Sequence, residues 1–141
     1  LPISEPVRSN GRPSLALKRR GVPWGYRMKV TVIEKGSCAI AEVEGSLTNE
    51  FLGDFEKEIE RLFRARRNII LDFTRLTFIL SSGLGVLLAY HVNARKERLH
   101  FIICGLNSQV QRLFAITDLN KHLNIAGGID EALEMVKNPV S

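Results

Sequence analysis

The run Thr77-Phe78-Ile79-Leu80-Ser81-Ser82-Gly83-Leu84-Gly85 gathers the residues best placed to do chemistry. Two adjacent serine hydroxyls and two glycines stand between an apolar strand pattern and an apolar helix pattern. A helix that starts here turns its first backbone N–H groups, and the positive end of its dipole, toward the serines. That place suits an N-cap, a bound anion or a phosphoserine. As a cap, one hydroxyl would accept from the second or third helical N–H, worth about 1 kcal/mol. A cap does not account for the two glycines, each of which costs up to about 1 kcal/mol against alanine in a helix. They fit a place where another backbone or a bulky group approaches closely.

Other chemistries find little support in residue type and spacing. His91, His100 and His122 share no helical spacing with a second good ligand, so no metal site is expected, and each reads as a surface or partly buried histidine. Cys38 and Cys104 sit in apolar runs and fit no metal motif; reduced, buried thiols are expected. Spacing suggests no Ser/His/Asp or Cys/His set. Gly83-Leu84-Gly85 lacks the third glycine of a dinucleotide fingerprint, and the phosphate-loop pattern is absent. Nucleotide-dependent catalysis is not expected, and no motif calls for a cofactor.

The elements around the turn follow from periodicity. Lys29 to Glu34 and Cys38 to Val43 read as two strands of a hairpin across Lys35-Gly36-Ser37. After Glu44-Gly45-Ser46, Thr48 or Asn49 can cap a helix with Phe51, Leu52, Phe55, Ile59, Leu62 and Phe63 on one face. Its acidic start and its end at Arg61, Arg64, Arg66 and Arg67 suit the dipole, and that end reads as a solvated terminus. Asn68 to Phe73 is apolar throughout, as in a strand covered on both faces. A helix from about Ser82 to Arg95 leaves the turn. Leu99 to Cys104 is a further buried strand. Asn107 or Ser108 caps a third helix, His122 to Ile125 suggests a short edge strand, and Asp130 caps a last helix that ends before Pro139. The order β-β-α-β-α-β-α-(β)-α predicts an α/β fold with a four- to five-stranded mixed sheet, four helices and right-handed crossovers.

The net charge of +5 is confined to one end. Residues 1–27 carry six basic residues against one acidic residue, and the 14 basic and 14 acidic residues from Met28 onward cancel. No basic stripe marks the patterned part, so direct nucleic-acid binding is not expected. Four of the five prolines also fall in residues 1–27, which read as a disordered or irregular basic arm. The arm is either native, meeting an acidic partner or a membrane surface, or sequence upstream of a start at Met28. Trp24 and Tyr26 could pin its end to the domain at 28–141. No apolar run reaches the roughly 18 residues of a membrane span, and a cytoplasmic location is expected.

The stretch from Asp72 to Leu88, Asp72-Phe73-Thr74-Arg75-Leu76-Thr77-Phe78-Ile79-Leu80-Ser81-Ser82-Gly83-Leu84-Gly85-Val86-Leu87-Leu88, resembles the signature of the STAS domain of bacterial anti-sigma factor antagonists. The resemblance extends over residues 28–137, including Gly45-Ser46-Leu47, the Leu113-Phe114 pair and Thr117-Asp118-Leu119. It implies a non-catalytic protein that binds an anti-sigma factor with serine kinase activity. Phosphorylation of a serine at the turn stops that binding, and a phosphatase restores it. By position the acceptor is Ser81, with Ser82 as the alternative. The implied contact surface comprises Ser46, Thr48, Asn49, Leu80, Ser81, Ser82, Gly83, Leu84 and Gly85, with the exposed face of the following helix. Two positions depart from the pattern: Leu80 and Thr48 stand where the family usually has Asp. The alternative is a STAS module that does not switch, acting as a scaffold or as the soluble subunit of a lipid- or anion-transport complex.

Overall fold

The computed structural model describes residues 2–9, 12–19 and 28–140. Strands β3 (Met28–Lys35) and β4 (Cys38–Leu47) form the expected antiparallel hairpin, with Gly36 supplying the positive φ of its turn. Helix α1 (Asn49–Arg64) leads to β5 (Asn68–Asp72), which lies parallel to β4. A short strand β6 (Leu76–Ile79) pairs with the far end of β4, and α2 (Ser81–Lys96) follows it. Strand β7 (Phe101–Cys104) lies parallel to β5. Helix α3 (Ser108–Ile116), a single 3-10 turn (Leu119–Lys121), β8 (Asn124–Ala126) and α4 (Ile129–Val136) complete the order.

The α/β class, the mixed sheet and the four helices are as predicted. Strand β6 is additional. Its burial runs buried, exposed, exposed, buried, so it lacks the alternation that marks a strand in sequence. Strands β1 (Pro2–Ser9) and β2 (Arg12–Arg19) form an antiparallel hairpin, and β2 pairs with β3 from Ser14 to Leu17. Proline cannot donate to a sheet ladder. Pro2 and Pro6 lie in the outermost strand, and Pro13 precedes the segment of β2 that pairs with β3. Trp24 and Tyr26 lie outside the described residues.

The sheet is covered on both sides. Phe51, Phe55, Ile59 and Leu62 of α1, Leu84 and Leu87 of α2, and Val110 and Phe114 of α3 pack on one face with Val32, Ile69, Leu71 and Ile103. On the other face, Cys38, Ile40, Ile70, Ile102 and Cys104 meet Ala132, Ile129 and Leu133 of α4. Alternate residues of β5 and β7 therefore enter two cores, which is why both strands read as unbroken apolar runs. Helices α1 and α2 also meet through tilted rings: Phe63 and Tyr90 have centroids 5.7 Å apart, and Phe63 and Phe101 are 6.1 Å apart.

One contact fixes how β5 leaves the sheet. The buried Asp72 carboxylate accepts from the N–H and the hydroxyl of Thr74. Gly105 lies against this pair at φ +75, and a Cβ there would sit 2.3 Å from Thr74 Oγ1 and 2.9 Å from Asp72 Oδ1. Gly36 has φ +60 but open space around it. Gly36→Ala is expected to cost about 1 kcal/mol from backbone strain alone, whereas Gly105→Ala should cost more than ~2 kcal/mol because overpacking adds to it. Urea denaturation of the two variants checks the ranking.

Candidate functional site

Strand β4 changes partner along its length. Residues Cys38 to Glu42 pair with β5, and Gly45 to Leu47 pair with β6, with a register shift between Gly45 and Ser46. Gly45 takes φ +100 there, a conformation that glycine adopts at little cost. Its N–H donates to Arg75 O at 3.0 Å, and the Leu80 N–H donates to Leu47 O at 3.2 Å. Thr77 Oγ1 donates to Gly45 O at 2.9 Å. The pairing carries the chain to the start of α2 beside the start of α1. The two segments named from sequence, 46–49 and 80–85, are thereby brought side by side. A direct bond joins them: Ser82 Oγ donates to Asn49 Oδ1 at 2.8 Å.

The serines do not cap α2. The N-cap is Leu80, whose carbonyl accepts from Gly83 and Leu84, and no side chain caps the end. Anchoring of Leu80 to Leu47 advances the helix start by a residue, so Ser81 and Ser82 fall inside the first turn. Both are exposed. The expected close approach is met at Gly83 alone: a Cβ there would lie 2.9 Å from Ile79 Cγ1 and 3.6 Å from Leu47 Cδ2. Gly85 is exposed and has open space around it.

The nine residues named from sequence divide by depth. Asn49, Ser81, Ser82 and Gly85 are exposed and Leu80 is half-buried. Ser46, Thr48, Gly83 and Leu84 are buried and shape the surface from beneath. Ser46 Oγ lies 3.4 Å from Thr77 Oγ1. Thr48 is the N-cap residue of α1 but makes no capping bond, and its buried hydroxyl lacks a hydrogen-bond partner. Sequence reasoning passed over Phe78, which is 42% exposed on β6 beside the turn. An exposed aromatic next to exposed hydroxyls suits docking of a protein better than chemistry on a small molecule.

The remaining singled-out residues lie elsewhere. Cys38 and Cys104 are buried free thiols, and burial with the nearby Asp72 carboxylate pushes Cys104 up to about 12. Arg66 is exposed and Arg67 half-buried, and both are tied down by local bonds. Arg66 bonds the Glu97 side chain at 2.7 Å, and Arg67 bonds the carbonyls of Gly36 and Cys38. Among the described residues, no group of three or more His, Cys, Asp or Glu side chains is placed to hold a metal ion, and no helix is long and apolar enough to cross a membrane.

The pattern of the STAS domain matches residues 29–132. The chain belongs to the STAS domain family. A relative from Bordetella bronchiseptica, BtrV, provisionally named an anti-sigma factor antagonist, is 25% identical over 111 residues, covering 78% of this chain and 96% of its own. Two solved structures share the STAS fold. An anti-sigma factor antagonist from Mycobacterium paratuberculosis superposes with TM-score 0.69 at 20% identity, over 79% of this chain and 95% of its own. The anti-sigma factor antagonist SpoIIAA, solved in its unphosphorylated form, gives 0.64 at 20% identity over 77% and 96%.

Thr48 gives this STAS domain a measurable signature. Thr48→Val exchanges a buried, unpartnered hydroxyl for a methyl group, so stability should hold or rise by up to about 1 kcal/mol. Thermal unfolding checks this, and a clear loss would show that the hydroxyl is bonded in solution.

Proposed function

We propose that this STAS domain is an anti-sigma factor antagonist that binds an anti-sigma factor with serine kinase activity and is released from it by phosphorylation of Ser81. The observation that carries the proposal is the exposed Ser81 in the first turn of a 16-residue helix, set beside the exposed Phe78 and joined to the start of α1 through Asn49. Ser82 is the weaker acceptor because its hydroxyl already donates to Asn49. The names of BtrV and of the two structural neighbours support the antagonist role.

The physics of the switch is local. A phosphate brings a charge of about −1.5 to −2 and three acceptor oxygens. The N-terminal end of α2 tolerates that charge in the free protein, so the fold need not change. In a closed interface the same charge loses its water, and no basic side chain occurs in the first turn of α2 to receive it. Binding is then lost through a local modification. Leu80 and Thr48 leave the serine without the two carboxylates usual in the family, so the kinase must recognise it through backbone and apolar contacts. A phosphatase that removes the phosphate resets the cycle.

Titration calorimetry with the cognate anti-sigma kinase tests this. Ser81→Ala should bind as the unmodified chain does. Ser81→Asp should bind at least ~30-fold more weakly, since an unpaired charge buried in an interface costs about 2 kcal/mol or more. Equal binding of both variants would instead indicate a STAS module that does not switch.

A further inference from the structure

All three histidines of the chain meet at one cavity, although they come from separate elements. His91 lies in α2, His100 just before β7, and His122 just after the 3-10 turn. Arg95, one turn beyond His91 on α2, joins them. The cavity encloses about 320 Å³ and is completed by Asn124, Met135, Asn138, Pro139 and Val140. Its α2 residues lie about 15 to 21 Å along the helix from Ser81, at 1.5 Å per residue, so it is separate from the turn that carries the serines.

Among the described residues, the lining concentrates guanidinium, imidazole and amide N–H groups and contains no carboxylate side chain. Four acidic residues on the neighbouring elements are engaged elsewhere, Glu97 with Arg66, Asp118 with Lys121, Glu134 with Lys137 and Glu131 with the Gly127 N–H, and the exposed Asp130 of α4 does not line the cavity. His100 Nε2 lies 2.7 Å from Asn138 O. A carbonyl oxygen can only accept, so this nitrogen carries a proton and the ring is held in place. His91 is 7% exposed. The charged and titratable groups acting on it are Arg95 from its own helix and His122 from the loop, while the residues lining from α4 onward carry no charge. Burial first, then these two neighbours, hold its imidazolium form back. Such a grouping has an unmet electrostatic demand that an anion would satisfy.

We propose that this cavity binds a small organic oxyanion, with Arg95, His91 and His122 on the phosphate or carboxylate group and Met135, Pro139 and Val140 against its carbon skeleton. Guanidinium and imidazolium N–H groups give short, charge-assisted bonds to such oxygens. Binding of an anion favours the protonated form of His91, so affinity should rise by about tenfold for each unit that the pH falls while that proton is taken up.

The test follows the histidine ring signals by NMR during titration with inorganic phosphate and, separately, with succinate, at about pH 6 and about pH 8. Saturable shifts of His91 and His122, stronger at the lower pH, are expected with at least one probe, and the stronger probe assigns the headgroup. Arg95→Gln should weaken binding at least tenfold. The exposed His122→Gln provides the same test should the first variant fold poorly. Shifts that follow chloride equally, that never saturate, or that show no pH dependence would overturn the proposal, as would unchanged affinity in a folded variant.

Discussion

The arrangement of the proposed docking surface depends on β4 serving two strands in succession. Its first half is a central strand of the sheet, parallel to β5. Past Gly45 it bends and pairs with β6 instead. That second pairing is short, and the Leu80-to-Leu47 bond ends it. Because of that bond, α2 starts at Ser81 and stands next to the start of α1. Without it, the two serines and Asn49 would belong to unrelated loops.

The bend is braced from both sides. Asp72 and Thr74 hold the chain as it leaves β5, and Gly105 admits them closely. Gly45 and Thr77 hold the other side, through Gly45 N–H to Arg75 O and Thr77 Oγ1 to Gly45 O. Below the turn, Gly83 lets α2 settle on Ile79 and Leu47. A site supported in this way changes its binding through charge at its surface more readily than through rearrangement of its backbone. A serine switch at the first turn of α2 is consistent with that economy. The cavity at the other end of α2 differs in kind, since one guanidinium and three imidazoles line it.

Most of the fold was legible because its central strands and amphipathic helices carry strong apolar patterns. The strands read over Asn68 to Phe73 and Leu99 to Cys104 are found at Asn68–Asp72 and Phe101–Cys104, legible because both of their faces are buried. Strand β6 escaped notice: Thr77 and Phe78 are adjacent and both exposed, which breaks a period of two. Ser81 and Ser82 looked like caps from residue preference, but a backbone bond from Leu80 fixed the helix start ahead of them. Likewise Gly128, not Asp130, caps α4, so Asp130 falls in its first turn. The STAS signature singled out residues 46–49 and 80–85, yet it could not distinguish exposed Asn49 and Gly85 from buried Ser46 and Thr48. The meeting of His91, His100 and His122 left no trace in sequence spacing because three separate elements supply them.

The central claim is that the start of α2 and the β4–α1 junction form one protein-binding face controlled at Ser81. Hydrogen–deuterium exchange of the chain with its cognate anti-sigma kinase tests this most directly. Amides in 46–52 and 78–88 should gain protection together in the complex, and that gain should vanish once Ser81 is phosphorylated. Protection centred on α4 and β8, with none at the start of α2, would contradict it.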